Sequence, residues 1–114
     1  METPPQITLH SAQQEVDHWI RTVGVRYFSE LTNMAILTEE VGELARHIAR
    51  QYGDQSYRPG KEQDGIEEEL CDVLFVLICL ANQTGVDLEK GFRKAMDKRN
   101  QRDATRHRDN QKLH

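Results

Sequence analysis

The sequence predicts an all-α protein, a four-helix bundle, and three observations carry that expectation. Apolar residues recur at three- and four-residue spacing in four separate segments. Only three prolines and seven glycines punctuate 114 residues, which favours long helices over many short strands. No segment alternates apolar and polar residues with the period of two that a half-buried strand requires.

The first helix is expected over about 9–24. Leu9, Ala12, Val16, Trp19, Ile20 and Val23 form its stripe, Thr8 is its N-cap and Gly24 lies near its end. A second, about 31–51, carries Met34, Leu37, Val41, Leu44, Ala45 and Ile48 and runs out at Tyr52-Gly53-Asp54. Residues 52–62 hold Gly53, Pro59 and Gly60 and read as the one clear loop. The third helix, about 62–84, takes Ile66, Leu70, Val73, Leu74, Leu77 and Ala81 as its stripe. Gly85 then suits its C-terminal cap, and Asp87 the N-cap of a fourth helix over about 88–102. The tail, 103–114, is polar throughout and its composition suits partial disorder. The whole of 1–114 reads as one domain.

Between Leu70 and Ala81 the third helix has Asp72 as its only polar residue apart from two cysteines, and a helix apolar all round is buried all round. One small bundle does not cover every face. Phe75, Val76, Ile78 and Cys79, outside the stripe, are therefore expected to meet a second copy of the chain in a dimer or tetramer.

Charge and composition exclude several classes. A net charge of −4 gives no basic excess for a nucleic-acid groove. The longest apolar run, Val73–Ala81, is far short of the roughly 20 residues of a membrane span. Nothing at the N-terminus reads as a signal peptide. Cys71 and Cys79, eight positions apart on one helix, stand about 12 Å apart and cannot bridge. A reduced, cytoplasmic protein is the expectation.

The chemistry lies in the acids. Glu40 and Glu43 flank the stripe of the second helix at i, i+3, and Glu69 and Asp72 hold the same offset on the third. Two such helices packed together bring four carboxylates into one cleft, with Glu39 at its edge. Glutamates on a helix flank are most often a solvated face, but an ionised Asp72 inside an apolar run is costly unless paired or bound to a cation. Its neighbours Glu68 and Glu69 are like charges. Four clustered carboxylates repel and take up protons, and oxygen-only ligation relieves this best with Mg²⁺ or Mn²⁺. Zinc is disfavoured, because His47 has no second histidine beside it. Cys71 and Cys79 read as small hydrophobes and not as nucleophiles.

In these residues the sequence resembles the MazG-type all-α nucleotide pyrophosphohydrolases. Their motif is E-x-x-E preceded by a further Glu, then E-x-x-D after some tens of residues. Glu39, Glu40 and Glu43 match its first part, Glu69 and Asp72 its second, and the similarity runs over roughly 9–102. The resemblance implies Mg²⁺-dependent hydrolysis of a nucleoside triphosphate to the monophosphate and pyrophosphate, in nucleotide-pool house-cleaning. Glu40, Glu43, Glu69 and Asp72 would be the metal ligands, and Glu39 would hold a further metal or orient the attacking water. Basic residues of the last helix would steady the phosphates, here Lys98 and Arg102, with Arg99 and Asn100 behind them. Trp19 and Phe28, with His18, are candidates for a nucleobase slot, although Trp19 also fits the core stripe. A dCTP- or dUTP-restricted enzyme is the narrower alternative. A di-iron bundle would need two E-x-x-H motifs, which Glu40 and Glu69 do not begin. A non-enzymatic helical protein with an acidic docking face is the remaining rival, and it predicts no metal dependence.

Overall fold

The computed structural model describes residues 4–60 and 65–114, and within them the elements are four α-helices and a final 3₁₀ turn. These are α1 (Leu9–Thr22), α2 (Glu30–Tyr52), α3 (Gly65–Gln83) and α4 (Leu88–Asp103). The expected start of the third helix at 62 falls outside the described residues. Thr8 caps α1 in a reciprocal box with Ser11, Ser29 caps α2 and Asp87 caps α4. Gly85 leaves α3 with φ +71°, the left-handed conformation that glycine adopts without strain.

α2 and α3 pack along each other, with α1 on α3 and α4 against α1. Asn33 near the start of α2 donates to Gln83 at the end of α3 (2.7 Å), so the pair is antiparallel. Trp19 meets Phe75 edge-on, ring centres 5.8 Å apart, which fixes α1 on α3. A polar knot closes the same end. Gln13 is buried; its Nε2 donates to Asn82 Oδ1 (3.0 Å) and the Val86 carbonyl (2.8 Å), and its Oε1 accepts from the Leu88 amide (2.9 Å). Asn82 donates onward to the Tyr27 hydroxyl (3.0 Å), which donates to Asp17 (2.6 Å). Every member has a partner, so burial is tolerated.

The four helices do not close into a bundle within one chain. α4 leaves α3 at 104°. The radius of gyration is 18.1 Å, against about 13 Å for a compact chain of this length. Residues 91–100 of α4 are exposed throughout, Phe92 and Met96 among them. The polar tail is drawn into turns and a 3₁₀ segment, Gln111–Leu113, capped by Asn110.

Burial on α3 departs in part from the sequence expectation. Val76, Ile78 and Cys79 are in the core of the chain, and Phe75 lies against Trp19. Of the expected core stripe Ala81 is buried, but Leu70, Leu74 and Leu77 are 52%, 45% and 44% exposed. A helix apolar on every side carries no polar flank to say which face turns inward, and here α1 and α2 settle it. Met34, Val41 and Ile48, a heptad apart on α2, are exposed as well.

Candidate active site

The acids gather where α2 and α3 run side by side. Oxygens of Glu40, Glu69 and Asp72 lie within 4.8 Å of one another. Glu43, Glu69 and a ring nitrogen of His47 form a second group within the same limit, so Glu69 belongs to both. Burial, then the hydrogen bond and charge of Glu40, push the Glu69 carboxyl up to about 7, with Asp72 and Glu43 acting in the same direction. Glu69 Oε2 is buried and, among the described residues, lacks a hydrogen-bond partner. A crowded, partly protonated acid with an orphaned oxygen is the condition a divalent cation relieves. The carboxylate oxygens suit a divalent cation, and the His47 nitrogen adds a ligand type that the oxygen-only set expected from the sequence does not contain. Glu39 lies outside both groups, exposed one residue before Glu40.

His47 is the member that sequence spacing missed, because its partners come from another helix. The Tyr57 hydroxyl donates to the His47 carbonyl (3.1 Å) and stands 3.0 Å from Nδ1. With its one proton spent on the carbonyl, that hydroxyl accepts from Nδ1–H and leaves Nε2 as the lone-pair nitrogen. A side chain at Gly65 would run into this ring, so the glycine admits the imidazole at the start of α3.

On one side of the carboxylates is a cavity of about 420 Å³ whose walls include Trp19, Tyr27, Phe28 and Phe75. Glu40 and Asp72 line it too, so the aromatic cavity and the acidic cluster share a wall. Gly24 and Arg26 also line it, and between them Val25 has φ +72° inside a tight turn where the Arg26 amide reaches the Gly24 carbonyl (2.9 Å). A β-branched residue in that region is strained. Trp19 and Phe28 are thus beside the acids, whereas His18 is exposed and takes no part in the lining.

Lys98 and Arg102 are not brought to the carboxylates within one chain. α4 packs on α1, neither residue lines a cavity adjoining the cluster, and Arg102 pairs with Asp103 (3.0 Å).

The chain is similar to known proteins in sequence and in fold. A family model described as the MazG nucleotide pyrophosphohydrolase domain matches residues 28–107. The chain is 44% identical to the YpjD protein of Bacillus subtilis strain 168 over 99 residues, 87% of this chain and 89% of that one. The crystal structure of YpjD superposes with a TM-score of 0.73 at 46% identity, covering 86% of this chain and 98% of that one. A Bacillus-conserved MazG protein, described as a nucleotide pyrophosphohydrolase, gives a TM-score of 0.69 at 46% identity, covering 86% and 92%. Rat dCTP pyrophosphatase 1 is 40% identical over 70 residues, 58% of this chain and 41% of its own length.

Proposed function

The chain belongs to the MazG nucleotide pyrophosphohydrolase family and is a hydrolase of nucleotide phosphoric anhydrides, and from that premise we propose that it converts nucleoside or deoxynucleoside triphosphates to monophosphates and pyrophosphate with Mg²⁺. Mn²⁺ is the expected substitute. The observation that carries the reading is the shared wall: Glu40 and Asp72 belong at once to the carboxylate cluster and to the aromatic cavity. A base stacked among Trp19, Phe28 and Phe75 sets its α-phosphate nearest the acids. Stacking of this kind contributes roughly 1–3 kcal/mol per base.

Glu40, Glu43, Glu69 and Asp72 are the residues we assign to hold the metal, with His47 in reach of the same ion cluster. A bound divalent cation supplies Lewis-acid charge and lowers the pKa of a water. The rest falls to the chain. The cavity orients the nucleoside, and Tyr57 holds His47 in one tautomer. Glu69 must release its proton for the carboxylates to act together, and to Glu39, exposed beside Glu40, we assign either a further metal or the orientation of the incoming water. Attack at the α-phosphorus breaks its bond to the bridging oxygen, and pyrophosphate departs with that oxygen.

The assembly is part of this proposal. The exposed stripes Met34–Val41–Ile48 and Leu70–Leu74–Leu77 lie on the paired helices. Burying each such side chain is worth about 1.5–3 kcal/mol, which favours a homodimer or homotetramer. A role for Lys98 and Arg102 at the phosphates then belongs to that assembly, with α4 of one subunit reaching the site of another.

The test is product analysis with a panel of NTPs and dNTPs, with and without Mg²⁺, beginning with dCTP because a relative is a dCTP pyrophosphatase. Pyrophosphate and a monophosphate are expected, and Glu40→Gln should remove them. Orthophosphate and a diphosphate as first products would mean attack at the γ-phosphorus and would sink the assignment.

A further inference from the structure

Beyond Glu43 and His47, on the side away from the aromatic rings, lies a second cavity of about 520 Å³. Its walls are Glu43, Arg46, His47, Arg50, Tyr57 and Arg58. Three guanidinium groups therefore face one carboxylate. The Glu43–Arg46 pair is long, 3.9 Å, and half-exposed; among the described residues Arg50 and Arg58 have no ion-pair partner. Arg50 Nη1 is buried and has no hydrogen-bond partner among the described residues. A buried donor on a cation is costly to leave unmade, so this atom marks a place where an anion belongs.

The fold builds the cavity rather than leaving it to chance. Arg46 and Arg50 are one turn apart on α2, and helix side chains lean toward the N-terminus, so both incline toward Glu43. Arg58 comes from the loop, which the Tyr57 hydroxyl pins to the His47 carbonyl at 3.1 Å. Taken together the two cavities bracket the carboxylates: aromatic rings beyond Glu40 and Asp72, arginines beyond Glu43 and His47.

We propose that the arginine cavity holds the two terminal phosphates of the substrate, and pyrophosphate after cleavage, so that Arg50 and Arg58 make the site select triphosphates. This rests on the pyrophosphohydrolase reading and adds its regiochemistry. A nucleotide with its base among the rings and its β- and γ-phosphates on the arginines has its α-phosphorus over the acids. Guanidinium groups suit the site because their planar forks match phosphate oxygens two at a time.

The experiment is titration calorimetry of inorganic pyrophosphate with Mg²⁺ into the full-length protein, in parallel with steady-state kinetics on a triphosphate. The variants are Arg58→Ala and Arg50→Gln, with a nucleoside monophosphate as the control ligand. Arg58 is exposed, so its variant keeps the fold whatever Arg50→Gln does. Each substitution should weaken pyrophosphate binding at least about tenfold and raise KM for the triphosphate similarly, the loss of a charge-assisted hydrogen bond. Monophosphate binding should not change. Pyrophosphate binding that is absent in the wild type, or unaltered in Arg58→Ala, overturns the inference even if the enzyme is active. A wild type that binds pyrophosphate through these arginines but releases none from any triphosphate keeps the anion site and overturns the hydrolase reading instead.

Discussion

Removing the Glu69 charge should stabilise the metal-free protein, by an amount that grows as pH rises through 4.5 to about 7 and is complete above it. Its carboxyl is raised from 4.5 to about 7, first by burial and then by Glu40. At about 1.36 kcal/mol per pH unit that displacement is worth roughly 3 kcal/mol. Solvent around the half-exposed Glu43 and around Asp72 screens part of it, so about 1–2 kcal/mol is expected. A carboxyl whose folded pKa lies above its unfolded one holds an extra proton when folded, so stability falls as pH rises between 4.5 and about 7. Below that window wild type and Glu69→Gln should melt alike in EDTA. At pH 8 the variant should melt higher, by about 4–8 °C for a chain of this size. Saturating Mg²⁺ should reverse the order, since binding at a hundredfold excess over Kd adds about 2.7 kcal/mol to the wild type alone. The measurement is thermal melting at pH 5 to 8, with and without Mg²⁺. Equal melting temperatures at pH 8 in EDTA, or a wild type that is the more stable there, would refute the reasoning.

Other perturbations test other parts. Val25→Gly should relieve its positive φ and raise stability by about 1–2 kcal/mol, read by urea denaturation; a loss would mean the turn is not strained. Gln13→Ala takes away the side-chain partner of the Leu88 amide, the Val86 carbonyl and Asn82 Oδ1 and should cost about 2–4 kcal/mol, with a near-neutral result contradicting the polar knot. Leu74→Glu should leave a folded chain of monomer mass by light scattering, whereas Ile78→Glu should unfold it; an intact oligomer from Leu74→Glu would move the interface elsewhere. Trp19→Ala should raise KM for the nucleotide by about 5- to 100-fold while leaving Mg²⁺ activation in place; unchanged kinetics would return Trp19 to packing alone.

Local signals in the sequence carried much of the fold. Thr8, Gly85 and Asp87 are legible caps because capping is decided by a residue and its immediate neighbours. The orientation of α3 was not legible. Leu70, Leu74 and Leu77 hold a regular stripe, yet apart from Ala81 the buried apolar residues of the helix are Val76, Ile78 and Cys79, because a helix without a polar side takes its inward face from what packs on it. The open placement of α4 was equally hidden: the amphipathic spacing of Phe92 and Met96 says that a face is to be covered but not that the cover is absent from the same chain.

The site divides along the same line. Glu40, Glu69 and Asp72 were readable because their spacing on two helices sets a shared edge, and only the antiparallel pairing was needed to join them. His47 and the arginines were not, since Arg46, Arg50 and Arg58 look in sequence like ordinary solvated charges on a helix end and a loop. What distinguishes them is tertiary: a tyrosine that pins the loop, a glycine that admits the histidine ring, and an arginine nitrogen buried with nothing to bind. The carboxylate cluster and the arginine cavity each carry unrelieved like charge, and they meet at Glu43. Neither cancels the other within the chain, as the 3.9 Å Glu43–Arg46 contact shows. One ligand relieves both: a polyanion chelated to a divalent cation presents positive charge to the acids and phosphate oxygens to the arginines. The two halves of the site should therefore bind cooperatively, with Mg²⁺ tightening pyrophosphate and pyrophosphate tightening Mg²⁺ by the same factor. Titrating each in the presence of the other measures that factor, and a value of one would mean that the acids and the arginines serve different ligands.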